Sequence, residues 1–269
     1  MSIFCSNNFT ATPNRVEMFI DFLKSANKSY TKKQLQEMFS PNSEAVFNEV
    51  FRVTQILNLI TIEMDSVKLN LNKKDSNRRF IQNAVFDLPS STDNFLIVLS
   101  WFLSLDKNNL PTWGDNLTSR LENDLNGLIT ESLNSQSWQN FIYWVQYLGF
   151  ATKLTLGDNI YIIPDPTNAI KLIIENQFQK NKEIKIHNFL SELANVYSVL
   201  EFGIDRKLIN NHLRDGLKLP ENKLSYSTSL AIGRLEKLGI VELITKADAD
   251  VISIESKRVS HIKFLGLKD

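Results

Sequence analysis

One pattern occurs three times along the chain and restricts the folds that it can adopt. In each copy an amphipathic run with helical spacing ends in a Leu-x-apolar segment, and a short β-rich run follows within about fifteen residues. The segments begin at Leu57, Leu148 and Leu238, so they recur about every 90 residues. A helix followed by two short strands closes a winged helix. The repeat therefore predicts a mainly α chain with small β-hairpins, folded as tandem winged-helix (helix-turn-helix) domains.

Capping and turn residues divide the chain into three segments. Thr31 and Ser225 are predicted N-caps, and Gln34 follows Thr31 by three residues, as in a capping box. The sequence Pro164-Asp165-Pro166-Thr167 ends the second segment, because two prolines cannot continue a strand ladder. Thr167 is then the predicted cap of the next helix. We predict an N-terminal winged helix at 1–72, a central helical or winged-helix domain at 73–166 and a C-terminal winged helix at 167–269.

Turn residues also predict the strand pairs. Gly157-Asp158 is a candidate type I′ turn between strands at 152–156 and 159–163. In the third segment, strands at 241–245 and 251–255 are predicted to pair as the wing, and a strand-like stretch near the C-terminus extends their sheet.

Composition favours a helical binding protein over an enzyme with a phosphate loop. The chain has 9 Gly and 7 Pro, which are too few for the many turns of a β-sandwich, and it contains no GxxxxGK[ST] or GxGxxG sequence. The single cysteine, Cys5, excludes an intrachain disulfide and a multi-thiolate metal site. Without a long apolar run or a secretion signal, we predict a cytoplasmic protein that contacts no membrane.

No group of residues predicts a catalytic or metal centre. None of the three histidines has a metal-ligand spacing to another. Asp248 and Asp250 lie in a predicted turn, where Asp side chains usually bond to their own backbone. Glu255-Ser256-Lys257 matches the Glu-x-Lys motif found on a strand of many nucleases, but no strand that carries the accompanying Asp precedes it. We therefore expect no enzymatic activity, no cofactor and no metal.

Charge is balanced overall and uneven along the chain. A dedicated nucleic-acid binder is often strongly basic, whereas 30 basic and 30 acidic residues give this chain zero net charge. Residues 1–75 contain nine basic and eight acidic residues, 76–170 contain five and nine, and 171–269 contain sixteen and thirteen. The third segment is therefore the favoured DNA contact and the second the least favoured.

Double-stranded DNA contacts are predicted on the last helix of the first and third segments, because helix-turn-helix proteins use that helix to read base edges. A basic stripe in the third segment, which Lys218 extends, would contact the backbone. The predicted residues are Arg52, Gln55, Arg206, Lys207, Arg214, Ser225, Tyr226, Ser227, Arg234 and Lys237. The alternative is structural, since Ser225 can simply cap its helix and the basic residues can form a solvated face.

The last helix of the central segment has no basic residue and is rich in aromatic ones. Exposed aromatic side chains on this helix would favour contact with a protein partner or another domain. The predicted docking residues are Trp138, Phe141, Trp144 and Tyr147.

Three stretches resemble a known family. They are the start Met1-Ser2-Ile3, the run at 144–150 followed by 163–167, and the run at 230–240 leading through 248–250 to 258–262. Over nearly its whole length the chain resembles the DpdG proteins, encoded in bacterial gene clusters that place 7-deazaguanine derivatives in DNA and restrict unmodified DNA. The resemblance implies an accessory component of phage defence beside helicase or ATPase and nuclease subunits, and it carries over no catalytic residue.

We therefore predict a non-catalytic DNA-recognition or adaptor subunit of a multi-protein antiphage modification–restriction system. Two alternatives remain open. One is a winged-helix transcription regulator, which protection of palindromic DNA by the purified protein would favour. The other is a structural winged-helix subunit of an SMC-like ATPase complex, which co-purification with an ATPase and no DNA shift would favour.

Overall fold

A computed structural model describes residues 2–3, 10–25, 30–70, 76–89, 93–129, 132–179, 181–220, 223–254 and 256–267. Cys5 and Glu255 lie outside these residues. In the described part of the chain the regular structure is mainly helical, and the strands form small antiparallel sheets. The predicted mainly α composition with small β-hairpins is confirmed. No described helix has the length and apolar character needed to cross a membrane.

Eleven helices and ten strands follow one another along the described residues. The helices are α1 (Pro13–Ser25), α2 (Lys32–Phe39), α3 (Glu44–Ile56), α4 (Asn77–Phe86), α5 (Phe95–Ser104), α6 (Thr118–Asp124), α7 (Ser135–Leu148), α8 (Thr167–Gln177), α9 (Ile186–Val196), α10 (Ile204–His212) and α11 (Tyr226–Lys237). The strands are β1 (Tyr30–Thr31), β2 (Ile60–Glu63), β3 (Ser66–Leu69), β4 (Ala151–Leu156), β5 (Asn159–Pro164), β6 (Glu183–Lys185), β7 (Val241–Ile244), β8 (Ile252–Ile254), β9 (Lys257–Val259) and β10 (His261–Phe264). A 3₁₀ turn at Asp215–Leu217 follows α10.

The chain divides into two compact units. The first comprises Met1–Phe95 and Gln136–Leu148, and the second comprises Leu96–Ser135 and Gly149–Asp269. Helix α7 therefore belongs almost wholly to the first unit, and the β4–β5 hairpin that follows it belongs to the second. The division into three domains stays a prediction, since one compact unit can hold more than one small domain.

In the first unit, three helices and a hairpin occur in the predicted order. The Thr31 side chain accepts from the Gln34 amide and the Gln34 side chain accepts from the Thr31 amide, so the predicted capping box is confirmed. Phe19 makes edge contacts with Phe47 and Phe51, with ring centroids 6.0 and 6.2 Å apart. These contacts join α1 to α3. Strand β3 pairs with β1 on one side and β2 on the other.

The turn between β4 and β5 differs from its predicted type, and the turn between β2 and β3 has an unusual sequence. At Gly157-Asp158 only Gly157 has a positive φ, which is the pattern of a type II′ turn rather than type I′. Met64 and Asp65 between β2 and β3 both have a positive φ, 46° and 67°, as in a type I′ turn. Neither residue is the Gly or Asn that favours such a turn, so the pairing of the flanking strands decides its type.

Strand pairing in the second unit also differs from the prediction. β7 pairs with β10 instead of β8, β8 pairs with β9, and the unpredicted β6 pairs with the other edge of β10. Cross-strand apolar pairs explain this sheet: Ile262 lies opposite Leu243 and Phe264 opposite Val241. Phe264 also stacks on Phe178, with ring centroids 5.4 Å apart. The predicted C-terminal wing hairpin is therefore wrong.

Two further expectations concern α5 and the start of α8. From its start at Phe95, helix α5 has its apolar residues buried, as its all-round apolar sequence predicts.

The predicted cap at Thr167 is wrong, because α8 begins there and the carboxylate of Asp165 accepts from both the amide and the hydroxyl of Thr167. Buried Asp165 also accepts from the Thr152 hydroxyl at 2.8 Å. A carboxylate at this position is favoured by the helix dipole.

Candidate nucleic-acid interface

The serine hydroxyls predicted to contact DNA at the start of α11 lie inside the second unit. Ser225 is 1% exposed and accepts a hydrogen bond from the Thr228 amide, so it is confirmed as the N-cap. Ser227 is fully buried, and its hydroxyl donates to the Leu103 carbonyl oxygen at 2.7 Å. Tyr226 is half-buried. Neither serine presents its hydroxyl to a ligand outside the chain. The prediction that Ser225 and Ser227 contact DNA is therefore wrong.

The four predicted arginines are held by oxygen atoms of the chain itself. The pairs are Arg52–Glu49, Arg206–Ser100, Arg214–Asp124 and Arg234–Asp165. The Arg206 contact, to a backbone carbonyl, lies in the interior, since Arg206 is 4% exposed. In contrast, Gln55, Lys207 and Lys237 are exposed. The predicted basic stripe is therefore split between interior and surface residues.

The aromatic face of α7 is packed rather than exposed. Trp138, Phe141 and Trp144 are at most 1% exposed, and Trp138 stacks on Phe141 with ring centroids 5.6 Å apart. Tyr147 is half-buried, and burial together with the charge of Glu17 raises the pKa of its hydroxyl above the ordinary range. The predicted exposure of this face is wrong, because large rings at helical spacing supply core packing. Three of the four side chains offer no surface to a partner.

A cavity of about 660 Å³ in the second unit was not predicted. Its walls come from α9, the turn after α9, α10 and the segment that leads into α11. Two residues of the predicted DNA set, Arg206 and Lys207, line it. They are joined there by His187, Glu201, Phe202, Asn210, Lys218 and Lys223, among others. The volume is typical of small-ligand sites, which span roughly 300–1,000 Å³.

Among the described residues that line the cavity, four side chains are basic and one, that of Glu201, is a carboxylate, so this lining is positively charged. Lys218 pairs with exposed Asp215 at an N–O distance of 2.9 Å. Exposed pairs of this kind are weak and easily exchanged. Lys207 and Lys223 form no ion pair with any residue that the structure describes. Two ammonium groups are therefore available to an anion.

The Glu201 carboxylate has a structural task. It accepts a hydrogen bond from the Ser225 amide at 2.8 Å and another from the Thr228 hydroxyl at 2.5 Å. Burial by itself raises the pKa of Glu201, but the charge of Arg206 and these hydrogen bonds outweigh burial and hold the pKa below its usual range. Burial lowers the pKa of Arg206, and Glu201 opposes that shift. Glu201 is thus an ionised anchor for α11.

The other lining residues were not predicted as site residues, apart from Lys218 in the stripe. Phe202-Gly203 before α10 is the one local signal, because glycine at such a place indicates a tight turn. A Cβ added to Gly203 would lie 2.1 Å from the Ser198 carbonyl oxygen, so no larger residue fits. His187 and Lys223 come from segments distant in sequence, and only tertiary packing brings them to one cavity.

A second cavity of about 450 Å³ lies beside the turn that contains Asp248 and Asp250. The predicted turn is confirmed, with Asp248 at a φ of 57°. His187 and His261 line the same cavity. Within the described ranges, no three His, Cys, Asp or Glu side chains are grouped as metal ligands. The first cavity is therefore the better candidate interface.

A protein-family model for DpdG-like proteins matches residues 1–249 of the chain. The match spans most of both compact units. Comparisons with curated proteins and with solved structures found no match. The resemblance seen in the sequence is confirmed, and the chain belongs to the DpdG-like family.

Proposed function

We propose that the protein is a non-catalytic DNA-recognition and adaptor subunit of a multi-protein antiphage system that modifies and restricts DNA. Its membership of the DpdG-like family supports a place in such a system. It would hold DNA for separate helicase or ATPase and nuclease subunits. A non-catalytic role is supported by the buried carboxylates of Asp124 and Asp165 and by Glu201, since each is engaged by structural partners.

The charge of the larger cavity is the observation that carries the DNA contact. Lysine ammonium groups bind phosphate oxygens, and the release of counterions supplies much of the affinity. Lys207 and Lys223 have no ion-pair partner among the described residues, and buried Arg206 adds positive potential. In a chain of zero net charge, such a local excess is where a polyanion would bind. The proposed contact thus moves from the start of α11 to this cavity.

We also propose that residues 13–69 form a winged helix. Helices α1, α2 and α3 are followed by the antiparallel pair β2–β3, and β1 pairs with β3. This is the element order of a winged helix. Helix α3 would then present exposed Gln55 and half-buried Arg52 to a second stretch of DNA.

The double variant Lys207→Ala with Lys223→Ala tests the contact in the full chain. Removing two phosphate contacts should weaken duplex binding about tenfold at low salt, and it should reduce the slope of log affinity against log salt by about 2. Affinity measured over a range of salt concentrations gives both quantities.

The matched control removes the same charge from exposed lysines outside the cavity lining, Lys107→Ala with Lys182→Ala. It should change duplex affinity less than about twofold, because exposed charges are screened beyond roughly 10 Å. Equal losses in the two double variants would contradict the proposed contact. So would a wild-type chain that retains no duplex DNA at low salt.

A further inference from the structure

Aromatic and apolar residues line the same cavity as the lysines. The rings of Phe202 and His187 have centroids 6.0 Å apart and planes inclined by 44°. Phe202 is 38% exposed although it is large and apolar, and Leu219 and Leu224 continue the apolar lining. One occupant of the cavity would therefore meet both a flat apolar face and cationic groups.

The backbone holds Phe202 in a conformation that phenylalanine rarely adopts. Its φ is 71°, a left-handed value that is unfavourable for a residue with a Cβ. The next residue, Gly203, donates its amide hydrogen to the Leu200 carbonyl oxygen at 2.9 Å and leaves no space for a side chain beside Ser198. Backbone strain of this kind is frequent at ligand sites, where the surrounding structure maintains it. Here it keeps an aromatic ring at the cavity and out of the core.

Arg206 contributes a buried guanidinium group to the lining of the same cavity. Its Nη1 donates to the Ser100 carbonyl oxygen at 3.1 Å, while its Nε has no hydrogen-bond partner among the described residues. A buried donor without an acceptor is unfavourable. Burying the guanidinium group here nevertheless places another cationic group in the cavity lining, in addition to Lys207 and Lys223.

We propose that this cavity receives a single unstacked nucleotide of DNA, with its base against Phe202 and its phosphate near Lys207 and Lys223. This inference rests on the proposed DNA-binding function. In an intact duplex the bases are paired and stacked, so phosphates can reach the lysines but no base face can reach Phe202. The volume of about 660 Å³ suits a ligand of this size. Asn210 in the lining can both donate to and accept from a base edge.

Binding of the full chain to two DNAs tests the inference. They are a blunt duplex and the same duplex with one unpaired nucleotide at its centre. Stacking of that base on an aromatic ring should favour the second DNA about tenfold. Phe202→Leu keeps apolar volume but removes the ring, so it should reduce the preference to about one, whereas Phe202→Trp should retain it.

Leu172→Ala is the matched control, because Leu172 is an exposed apolar residue outside the cavity lining. It should keep the wild-type preference. The urea midpoints of both Phe202 variants should match that of the wild type, since each keeps a bulky side chain at an exposed position. A preference that survives Phe202→Leu, or a wild-type chain that binds both duplexes equally, would overturn the inference and leave duplex recognition standing.

Titration with a deoxynucleoside monophosphate separates this inference from the proposed function. Calorimetry should give an affinity for the nucleotide at least about tenfold higher than for inorganic phosphate, and Phe202→Leu should remove the difference. That result supports the nucleotide site even where duplex DNA is not retained. Equal affinity for inorganic phosphate and nucleotide would show that the base makes no contact, and it would overturn the inference.

Discussion

Helix α7 and the turn after α9 place aromatic side chains in opposite environments. Trp138, Phe141 and Trp144 on α7 are almost completely buried, whereas Phe202 in the turn is 38% exposed. The α7 rings recur at helical spacing among other apolar residues, so burying them together is favourable. Phe202 stands beside Gly203 in a turn that cannot accept a side chain at the glycine. Aromatic residues repeated at helical spacing are therefore core residues here, contrary to their predicted docking role. The exposed aromatic side chain is instead a single residue in a constrained turn.

The largest expected effect tests the buried side of this comparison. Trp138→Ala should reduce the free energy of unfolding by about 3–5 kcal/mol, because it removes a large fully buried ring and leaves a cavity. Tyr143→Ala on the same helix, where Tyr143 is 38% exposed, should cost about 1 kcal/mol or less. Urea unfolding followed by circular dichroism measures both. Similar small losses would place Trp138 at a surface and restore its predicted docking role.

The next effect concerns the anchor next to the exposed turn. Glu201→Gln should reduce the free energy of unfolding at pH 7 by about 3 kcal/mol, because it leaves the charge of buried Arg206 without compensation. Glu242→Gln removes an exposed carboxylate that lies 3.5 Å from Lys263, and it should cost less than about 1 kcal/mol. A small loss in both variants would contradict the anchoring role of Glu201.

The same anchor predicts a pH dependence. The pKa of Glu201 is lower in the folded chain, so its stabilising contribution is complete above the unfolded pKa of about 4.3. The contribution is lost as the pH falls through the folded pKa. Below about pH 4, the wild type should therefore lose more of its free energy of unfolding than Glu201→Gln does. Parallel pH profiles of the two proteins would show that folding does not lower the pKa of Glu201.

A smaller effect separates packing from DNA contact on α11. Arg234→Ala leaves buried Asp165 without its ion-pair partner and should cost about 1–2 kcal/mol, a value reduced by the partial exposure of the guanidinium group. Exposed Lys237→Ala should change stability by less than about 0.5 kcal/mol. Duplex affinity should change little in either variant. Weaker DNA binding by Arg234→Ala at unchanged stability would return the contact surface to α11.

The smallest effect tests the backbone strain at Phe202, through which of two variants, Gly or Ala, is the more stable. Phe202→Gly should be more stable than Phe202→Ala by about 1 kcal/mol, because only glycine adopts a φ of 71° without strain. At exposed Leu172 within α8 the order should reverse, with Gly less stable than Ala by about 1 kcal/mol. The urea unfolding midpoints of the four variants give the order of stability at each position. The same order at both positions would remove the case for backbone strain at Phe202.

Local features of the fold were predictable because their partners are close in sequence. The Thr31–Gln34 capping box joins residues three apart, and Ser225 caps the helix that begins at the next residue. The burial of α5 follows from an apolar sequence on every face. The pairing of β7 with β10 was not predictable, since an intervening turn made β8 the nearer partner in sequence.

The sequence by itself determined the mainly helical composition, the helix caps at Thr31 and Ser225, and membership of the DpdG-like family. Only the tertiary structure decided which polar side chains form hydrogen bonds inside the protein and are therefore unavailable to a ligand. Ser227 bonds to Leu103 and Arg206 to Ser100, across more than 100 residues of sequence in each pair. Periodicity shows which residues share a face of a helix, but the packing of distant segments decides whether that face meets protein or solvent. For that reason the cationic cavity is a property of the tertiary fold, and the sequence indicates it locally only through the Phe202-Gly203 turn.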